Sequence, residues 1–225
     1  MNNVLVIAAH PDDEVLGCGG TIAKHIKNKD IVNCLIMAEG ITSRDIKDKE
    51  KKRGLEDLRE AIFKAHKVLG TTTIQLENLP DNQMDLKSRL VIVKIIEKYL
   101  NKYKPEIVYT HFDGDLNIDH QITSQAVITA CRPLITTVKS ILFFEVPSST
   151  EWQCSQNKSG FNPNWFEDIN ATLSLKMEAL KYYNSELRSW PHPRSLEGVE
   201  HLARWRGCAA GLEAAEAFVL GRFIK

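Results

Sequence analysis

A chain of 225 residues that is 43% hydrophobic and 26% charged is long enough to bury a sizeable core, and it fits a single domain spanning 1–225. Lys plus Arg equals Asp plus Glu at 29 each, so overall charge selects neither nucleic acid nor an anionic membrane as partner. No apolar run approaches the roughly 20 residues of a membrane span, and Met1 leads through two Asn into a strand rather than a signal peptide, so a cytoplasmic protein with no integral membrane segment is expected. The five cysteines (Cys18, Cys34, Cys131, Cys154, Cys208) are odd in number and never spaced C-x-x-C, as neither a disulfide framework nor a cysteine zinc site requires; they read as reduced thiols.

Short β-branched apolar runs alternate with longer segments of helical period, the pattern of a mostly parallel sheet with helices on both faces. In chain order the predicted elements are strand Val4–Ala9, helix Gly20–Asn28, strand Val32–Ala38, helix Asp48–Leu69, strand Thr73–Leu76, helix Lys87–Tyr103, strand Ile107–Thr110, helix Asp119–Cys131 and strand Ser140–Val146. Gly70 and Pro105 supply the stop signals after the second and third helices. Pro147–Asn164 has no periodicity and reads as a long functional loop. Helices over Thr172–Tyr183 and Glu197–Arg206 and a short apolar tail to Phe223 complete the chain. In open sheets of this kind ligands sit beyond the carboxyl ends of the strands, which is where His10 and His111 open their loops.

Two polar segments stand at those ends. Ala9-His10-Pro11-Asp12-Asp13-Glu14 packs an imidazole and three carboxyls directly after a buried strand. Asp12 or Asp13 as a helix cap is the competing explanation. His111-Phe112-Asp113-Gly114-Asp115-Leu116-Asn117-Ile118-Asp119-His120 alternates acids as a calcium loop does, but it has Ile118 and Ser124 where such a loop needs Gly and Glu. A catalytic zinc site draws three ligands from His, Asp and Glu and leaves a position open; His10, Asp13 and His120 offer such a set. His25, His66 and His201, all on predicted helices, are assigned as ordinary hydrogen-bonded residues.

The Ala-His-Pro-Asp-Asp-Glu motif, with Asp-His more than a hundred residues later, resembles the PIG-L/LmbE family of zinc-dependent N-deacetylases. The likeness continues through Leu69-Gly70, Pro80-Asp81-Asn82, Gly114-Asp115-Leu116-Asn117, Glu145-Val146-Pro147 and Pro191-His192-Pro193-Arg194-Ser195. The resemblance implies a Rossmann-like, LmbE-like α/β fold, with one Zn2+ held by His10, Asp13 and His120 (another divalent transition metal being an alternative) and Asp12 as general base. It implies hydrolysis of the N-acetyl group of a small-molecule amino sugar of N-acetylglucosamine type, linked to a nucleotide, lipid or glycoside. Adjacent aspartates suit this chemistry, because neighbouring side chains in a turn diverge and one can bind metal while the other handles the proton. Pro11 fixes φ between the ligand His10 and the base Asp12. Several relatives carry a histidine three positions before the last ligand, where this chain has Asn117, so the oxyanion falls either to the metal with Asn117 or to His192. Asp119 is expected to orient a ligand imidazole.

Further expectations are weaker in pattern. Gly17-Cys18-Gly19-Gly20 lacks the continuation of a dinucleotide or phosphate loop and reads as close helix packing. By the same resemblance Arg59 and Asp81 contact sugar hydroxyls, with a solvated helix face and a turn aspartate as the plain alternatives. Among Arg188, Arg194, Arg204 and Arg206, Arg194 is the candidate for gripping the substrate. Trp152, Trp165 and Trp190 are candidates for stacking on a sugar, and Trp205 for the core. Family relatives imply a homo-oligomer. A sugar- or nucleotide-binding module without catalysis and a metal-dependent phosphoesterase are the alternatives, the first disfavoured by the intact Asp12 and the second by too few ligands for a two-metal site.

Overall fold

The computed structural model describes residues 1–41, 48–154 and 160–225, and of 48–51 the backbone alone. The strands are β1 (Asn3–Ala8), β2 (Ile31–Ala38), β3 (Thr73–Leu79), β4 (Ile107–His111), β5 (Ser140–Phe144), β6 (Trp165–Asp168) and β7 (Ala215–Phe223). The α-helices are α1 (Asp13–Lys27), α2 (Asp48–Leu69), α3 (Arg89–Tyr103), α4 (Ile118–Ala130), α5 (Leu173–Leu180) and α6 (Leu196–Ala210). All seven strands share one sheet in the order β3-β2-β1-β4-β5-β7-β6. The first five run parallel, β7 is antiparallel to β5, and β6 is antiparallel to β7.

This is the expected α/β fold, and its logic is visible in β1. Val4 and Val6 enter the core beneath α1, α2 and α5, while Leu5 and Ile7 enter the opposite core beneath α3 and α4. All four are fully buried, as a central parallel strand covered on both faces requires. The chain winds outward from β1 through β2 to β3, then returns to place β4 on the other side of β1. That reversal opens a crevice between the carboxyl ends of β1 and β4, where His10 and His111 stand.

Three elements differ from the sequence expectations. The apolar tail is β7, an interior strand, and the residues just after the long loop are its edge partner β6; their pairing partners lie far off in sequence, so local pattern did not mark them. Residues 155–159 of the expected loop Pro147–Asn164 lie outside the described residues. Helix α1 begins at Asp13 rather than Gly20, and breaks at Cys18 (φ −148°, ψ 25°). The break is stabilised from outside: Glu216 of β7 accepts the Gly20 and Thr21 N–H groups at 3.0 and 2.7 Å, and Lys176 of α5 donates to the Leu16 carbonyl at 2.8 Å. Lys176 and Glu216 are both buried and pair at 2.6 Å, so each is the other's counter-charge.

The glycines of that segment act by packing, as expected. A Cβ on Gly17 would lie 2.3 Å from the Phe144 ring, and one on Gly20 2.9 Å from Ile169. No disulfide forms among the described residues; Cys18, Cys34 and Cys131 are buried thiols, Cys154 and Cys208 exposed ones. Among the described residues no helix is long and apolar enough to cross a membrane.

Candidate active site

The turn from β1 into α1 is tied to the end of β4 by its backbone, because the Ala9 N–H donates to Nε2 of the buried His111 at 2.8 Å. One residue on, the His10 N–H donates to Asp13 Oδ2 at 2.9 Å, which folds these two side chains toward each other. His120, in the first turn of α4, completes the group. His10 Nδ1, Asp13 Oδ2 and His120 Nε2 lie 3.2–3.3 Å apart in all three pairs. Ligands about 2.0 Å from a common tetrahedral cation stand about 3.3 Å from one another, so the spacing fits zinc. Asp13 Oδ1 is buried with no hydrogen-bond partner, a second sign that the cage suits a cation.

Each imidazole is held from its far side. His10 Nε2 lies 3.1 Å from Asp119 Oδ2 and 3.2 Å from Asp81 Oδ1. Asp119 is itself fixed by the N–H groups of Asn82 and Met84, at 2.7 and 2.9 Å. His10, Asp81 and Asp119 therefore also cluster within metal-binding reach, but each Asp119 oxygen already accepts a backbone N–H, and this set reads as support for the His10 ring. His120 Nδ1 lies 3.1 Å from Asp115 Oδ1, off the line of a good hydrogen bond. Asp115 is anchored by the Ser149 hydroxyl, by Thr150 at 2.6 Å and by the Asn117 N–H at 2.8 Å. Burial pushes the Asp115 carboxyl up, but His120, Ser149 and Thr150 outweigh it and hold it at about 2.

The cage attracts positive charge. Burial would lower His10, yet Asp119 and Asp13 raise it to about 10; burial likewise opposes His120, which Asp13 and Asp115 raise to about 9. Asp13 itself is held far below the usual carboxylate range, since burial is outweighed by His120 and His10. His111, stacked on His120 with ring centroids 4.0 Å apart, goes the other way: burial keeps it neutral, as its acceptor role toward Ala9 requires.

Asp12 faces outward from this cage. It occupies the N-cap position of α1 but at φ 98°, and its side chain makes no capping hydrogen bond, so the capping explanation fails. A non-glycine residue held there costs roughly 1–3 kcal/mol, a strain found where geometry serves function. Its buried carboxyl accepts Arg194 Nη1 at 3.1 Å. Burial pushes that carboxyl well up, Arg194 pulling against it. The open cleft above is lined by His10, Asp12, Asp81, Asn117, Glu186 and Arg194 among others.

Other expected site residues fall differently. Asn117 lines the cleft, yet as N-cap of α4 its Oδ1 accepts the Asp119 N–H at 2.8 Å and its amide donates to Asn82 at 2.9 Å, leaving one amide hydrogen. His192 does not line the cleft; its Nδ1 accepts the Arg194 N–H at 3.0 Å and its ring meets Trp152 edge-on. Arg59 is exposed on α2 beside a smaller hollow with Leu55 and Ile62 that adjoins the cleft, sharing Pro11 and Leu58 with it. Arg206 is spent on Glu145, two hydrogen bonds of 2.7 Å, and Arg204 reaches Glu200 and Glu213. Trp165 belongs to β6, where its indole bonds Glu167; Trp190 packs on His201. Trp205 is 67% exposed, not core, because α6 turns that face to solvent. His25 and His66 are hydrogen-bonded as expected, to Asp30 and Tyr109 and to Glu14 and Thr71. Asp115, Glu14 and Glu186 were not singled out as site residues. Asp115 had a signal, standing five before His120 in the acidic alternation, and Glu14 had one as the last residue of the Ala9–Glu14 motif; Glu186 meets the cleft only through tertiary structure.

The family model described as PIG-L, GlcNAc-PI de-N-acetylase, matches residues 5–131, which is more than half of the chain. The chain belongs to the PIG-L family. It is 31% identical over 188 residues to an Escherichia coli K12 protein named "Uncharacterized deacetylase YaiS", covering 81% of this chain and 90% of that one. Two solved structures share its fold. The N,N'-diacetylchitobiose deacetylase of Pyrococcus horikoshii superposes with TM-score 0.78 at 22% identity, covering 97% of this chain and 83% of that one. GalB of Pseudomonas putida KT2440, a 4-carboxy-2-hydroxymuconate hydratase, superposes with TM-score 0.76 at 20% identity, covering 100% and 98%. PIG-L members are deacetylases, enzymes that hydrolyse an acetyl–nitrogen bond, and the Ala9–Glu14 turn lies within the matched span.

Proposed function

We propose that this chain is a zinc-dependent hydrolase that removes the acetyl group from an N-acetylated amino sugar of N-acetylglucosamine type. The observation that carries the proposal is one arrangement: a three-atom cage of cation spacing beside a buried carboxyl that faces an open polar cleft. His10, Asp13 and His120 would hold one cation per chain, with Asp119 and Asp115 fixing the imidazoles. A bound zinc ion supplies Lewis acidity, of the kind that lowers the pKa of water from 15.7 to about 7 at the best sites.

The remaining steps belong to the protein. Asp12 takes a proton as the oxygen of water bonds to the acetamide carbon, and returns it to the amine nitrogen as the C–N bond breaks, leaving acetate and a free amino sugar. Burial suits it to this exchange, since a raised pKa makes the carboxylate a stronger base and lets the carboxyl hold the proton near neutral pH until the amine takes it. Asn117 has an amide hydrogen to offer the oxyanion from the cleft wall, whereas His192 would have to leave Arg194 and Trp152 to do so. Asp81, in the cleft lining, would meet a sugar hydroxyl while it braces His10. Arg194 serves Asp12, and Arg59 stands outside the cleft.

The E. coli relative is named a deacetylase and the P. horikoshii neighbour acts on N,N'-diacetylchitobiose, which supports the amide substrate. GalB adds water to a different kind of bond on the same fold, so fold alone does not select the reaction. The test is acetate release from a panel of N-acetylated sugars by the zinc-loaded protein, with Asp12→Asn alongside. We expect the variant to keep its cation and lose activity by about 10²–10⁴-fold. No acetate from any N-acetyl sugar, or equal rates from both proteins, overturns the proposal.

A further inference from the structure

We propose that Glu14 is a positioning residue, holding the backbone of Asp12 in the conformation that aims its carboxyl at the cleft. The inference rests on Asp12 as the proton carrier and assigns the last residue of the Ala9–Glu14 motif, which neither the cage nor the cleft explains.

The helices of the molecule provide the contrast. At the N-caps of α4 and α6, Asn117 and Ser195 adopt extended conformations (φ −71°, ψ 128° and φ −74°, ψ 154°) and turn their side chains back to accept a backbone N–H of the first turn. Asp12 is a better capping residue than most, yet at φ 98°, ψ −28° it does not cap. Its carbonyl still accepts the Val15 and Leu16 N–H groups, so the helix starts normally. Only the side chain has been redirected, toward Arg194 and the cleft, while Asp13 points into the cage.

Something must oppose the relaxation of Asp12 to an ordinary cap, and Glu14 is placed to do it. The Asp12 N–H donates to Glu14 Oε2 at 3.2 Å. The other oxygen, Oε1, accepts the Tyr183 hydroxyl at 2.7 Å and lies 3.2 Å from His66 Nε2. His66 Nδ1 is in turn 2.9 Å from the Thr71 hydroxyl. Glu14 is fully buried, Tyr183 and His66 nearly so. The acceptor that fixes Asp12 is thus clamped by groups from α2 and from the turn after α5, none of which touches the cleft. Rotating Asp12 into an extended cap would take its N–H away from Glu14 and leave a buried acceptor short of a donor.

The test uses the full chain with Tyr183→Phe and Glu14→Gln. Tyr183→Phe removes one clamp without touching Asp12, and Glu14→Gln keeps an acceptor oxygen while weakening the clamp, so one folded variant suffices. Two readouts are taken: kcat and KM of the zinc-loaded protein on its best N-acetyl sugar, and amide hydrogen exchange of Asp12 in the metal-free protein. We expect kcat to fall about ten- to a hundredfold with KM within about twofold, cation content unchanged, and Asp12 exchange about tenfold faster. A variant with a lower Tm but wild-type kcat and wild-type Asp12 exchange overturns the proposal, since Glu14 would then serve stability alone. Should the wild type release no acetate, the proposed function fails, and the exchange measurement still decides whether Glu14 holds Asp12.

Discussion

Metal-free protein should give up protons when a cation enters the cage. The pKa of His10 rises from an ordinary 6.5 to about 10 and that of His120 to about 9, because Asp119, Asp13 and Asp115 surround rings that burial alone would leave neutral. At pH 7 the cage therefore holds proton charge on the very nitrogens a cation needs. His10 Nδ1 and His120 Nε2 stand 3.3 Å apart, so a second proton there is repelled by the first. Release at pH 7 should lie between one and two protons per cation. Calorimetric titration of the metal-free chain with zinc, repeated in buffers of different ionisation enthalpy, reads that number as a slope, with Asp12→Asn as control for the neighbouring carboxyl. Affinity should climb about ten- to a hundredfold per pH unit between pH 6 and 8 and level off above pH 10. The sign of the stability change follows from the same shifts. A raised histidine contributes stability that is fully present below its unfolded pKa of about 6.5 and is lost as pH rises through the folded values of 9 to 10. The metal-free Tm should therefore fall between pH 7 and pH 10, and the zinc-loaded Tm should not follow it. Release of less than half a proton at pH 7 would refute the reasoning, because the cage would then not be holding protons in the cation's stead.

Three further outcomes test the fold around the site. Gly17→Ala forces a Cβ within 2.3 Å of the Phe144 ring and should cost about 1–3 kcal/mol in urea unfolding; an unchanged midpoint would remove packing as the reason for the glycine. Lys176→Met leaves Glu216 buried opposite no cation and should cost about 3–5 kcal/mol, a neutral result showing that the broken helix does not need the pair. In a thiol titration of the folded chain, Cys154 and Cys208 should react quickly. Cys18, Cys34 and Cys131 should wait for unfolding, because burial pushes all three thiols up, Cys131 to about 12. Fast reaction of any buried thiol would contradict the core described here.

What the sequence revealed and what it concealed divides along physical lines. Strands β1, β2, β4 and β5 were legible because a parallel sheet buried on both faces writes itself as short, nearly continuous apolar runs, such as Val4–Ala9. Strands β6 and β7 were not, because β7 finds its place only by pairing β5, between Phe144↔Phe218 and Ser140↔Phe223, far back in the chain, and its own sequence, Ala215–Phe223, alternates no more clearly than a loop. His10, Asp13 and His120 were legible as residue types at a strand end and a helix start, and the fold brings their ring and carboxyl atoms together. Arg59 and His192 carried the right chemistry at plausible points in the chain, but neither helix face nor loop geometry can be read from residue type, and neither side chain is among those that line the cleft.

The same limit explains why this fold supports more than one reaction. Nothing in the winding of β1 through β5 prefers an amide to any other bond that water can attack, and the hydratase neighbour at 20% identity shares the fold from end to end. The selection has to be made by side chains whose direction depends on a few irregular backbone positions. Asp12 is the sharpest case: one residue at positive φ separates a carboxyl aimed at the cleft from one aimed into the cage, where an ordinary cap would have turned back onto the helix. A protein that kept every strand and helix but let that residue relax would retain the cage, and so a cation, while losing the group that moves the proton. Cation binding and catalysis should therefore separate under mutation at Glu14 and Asp12, and should fail together at His10, Asp13 and His120.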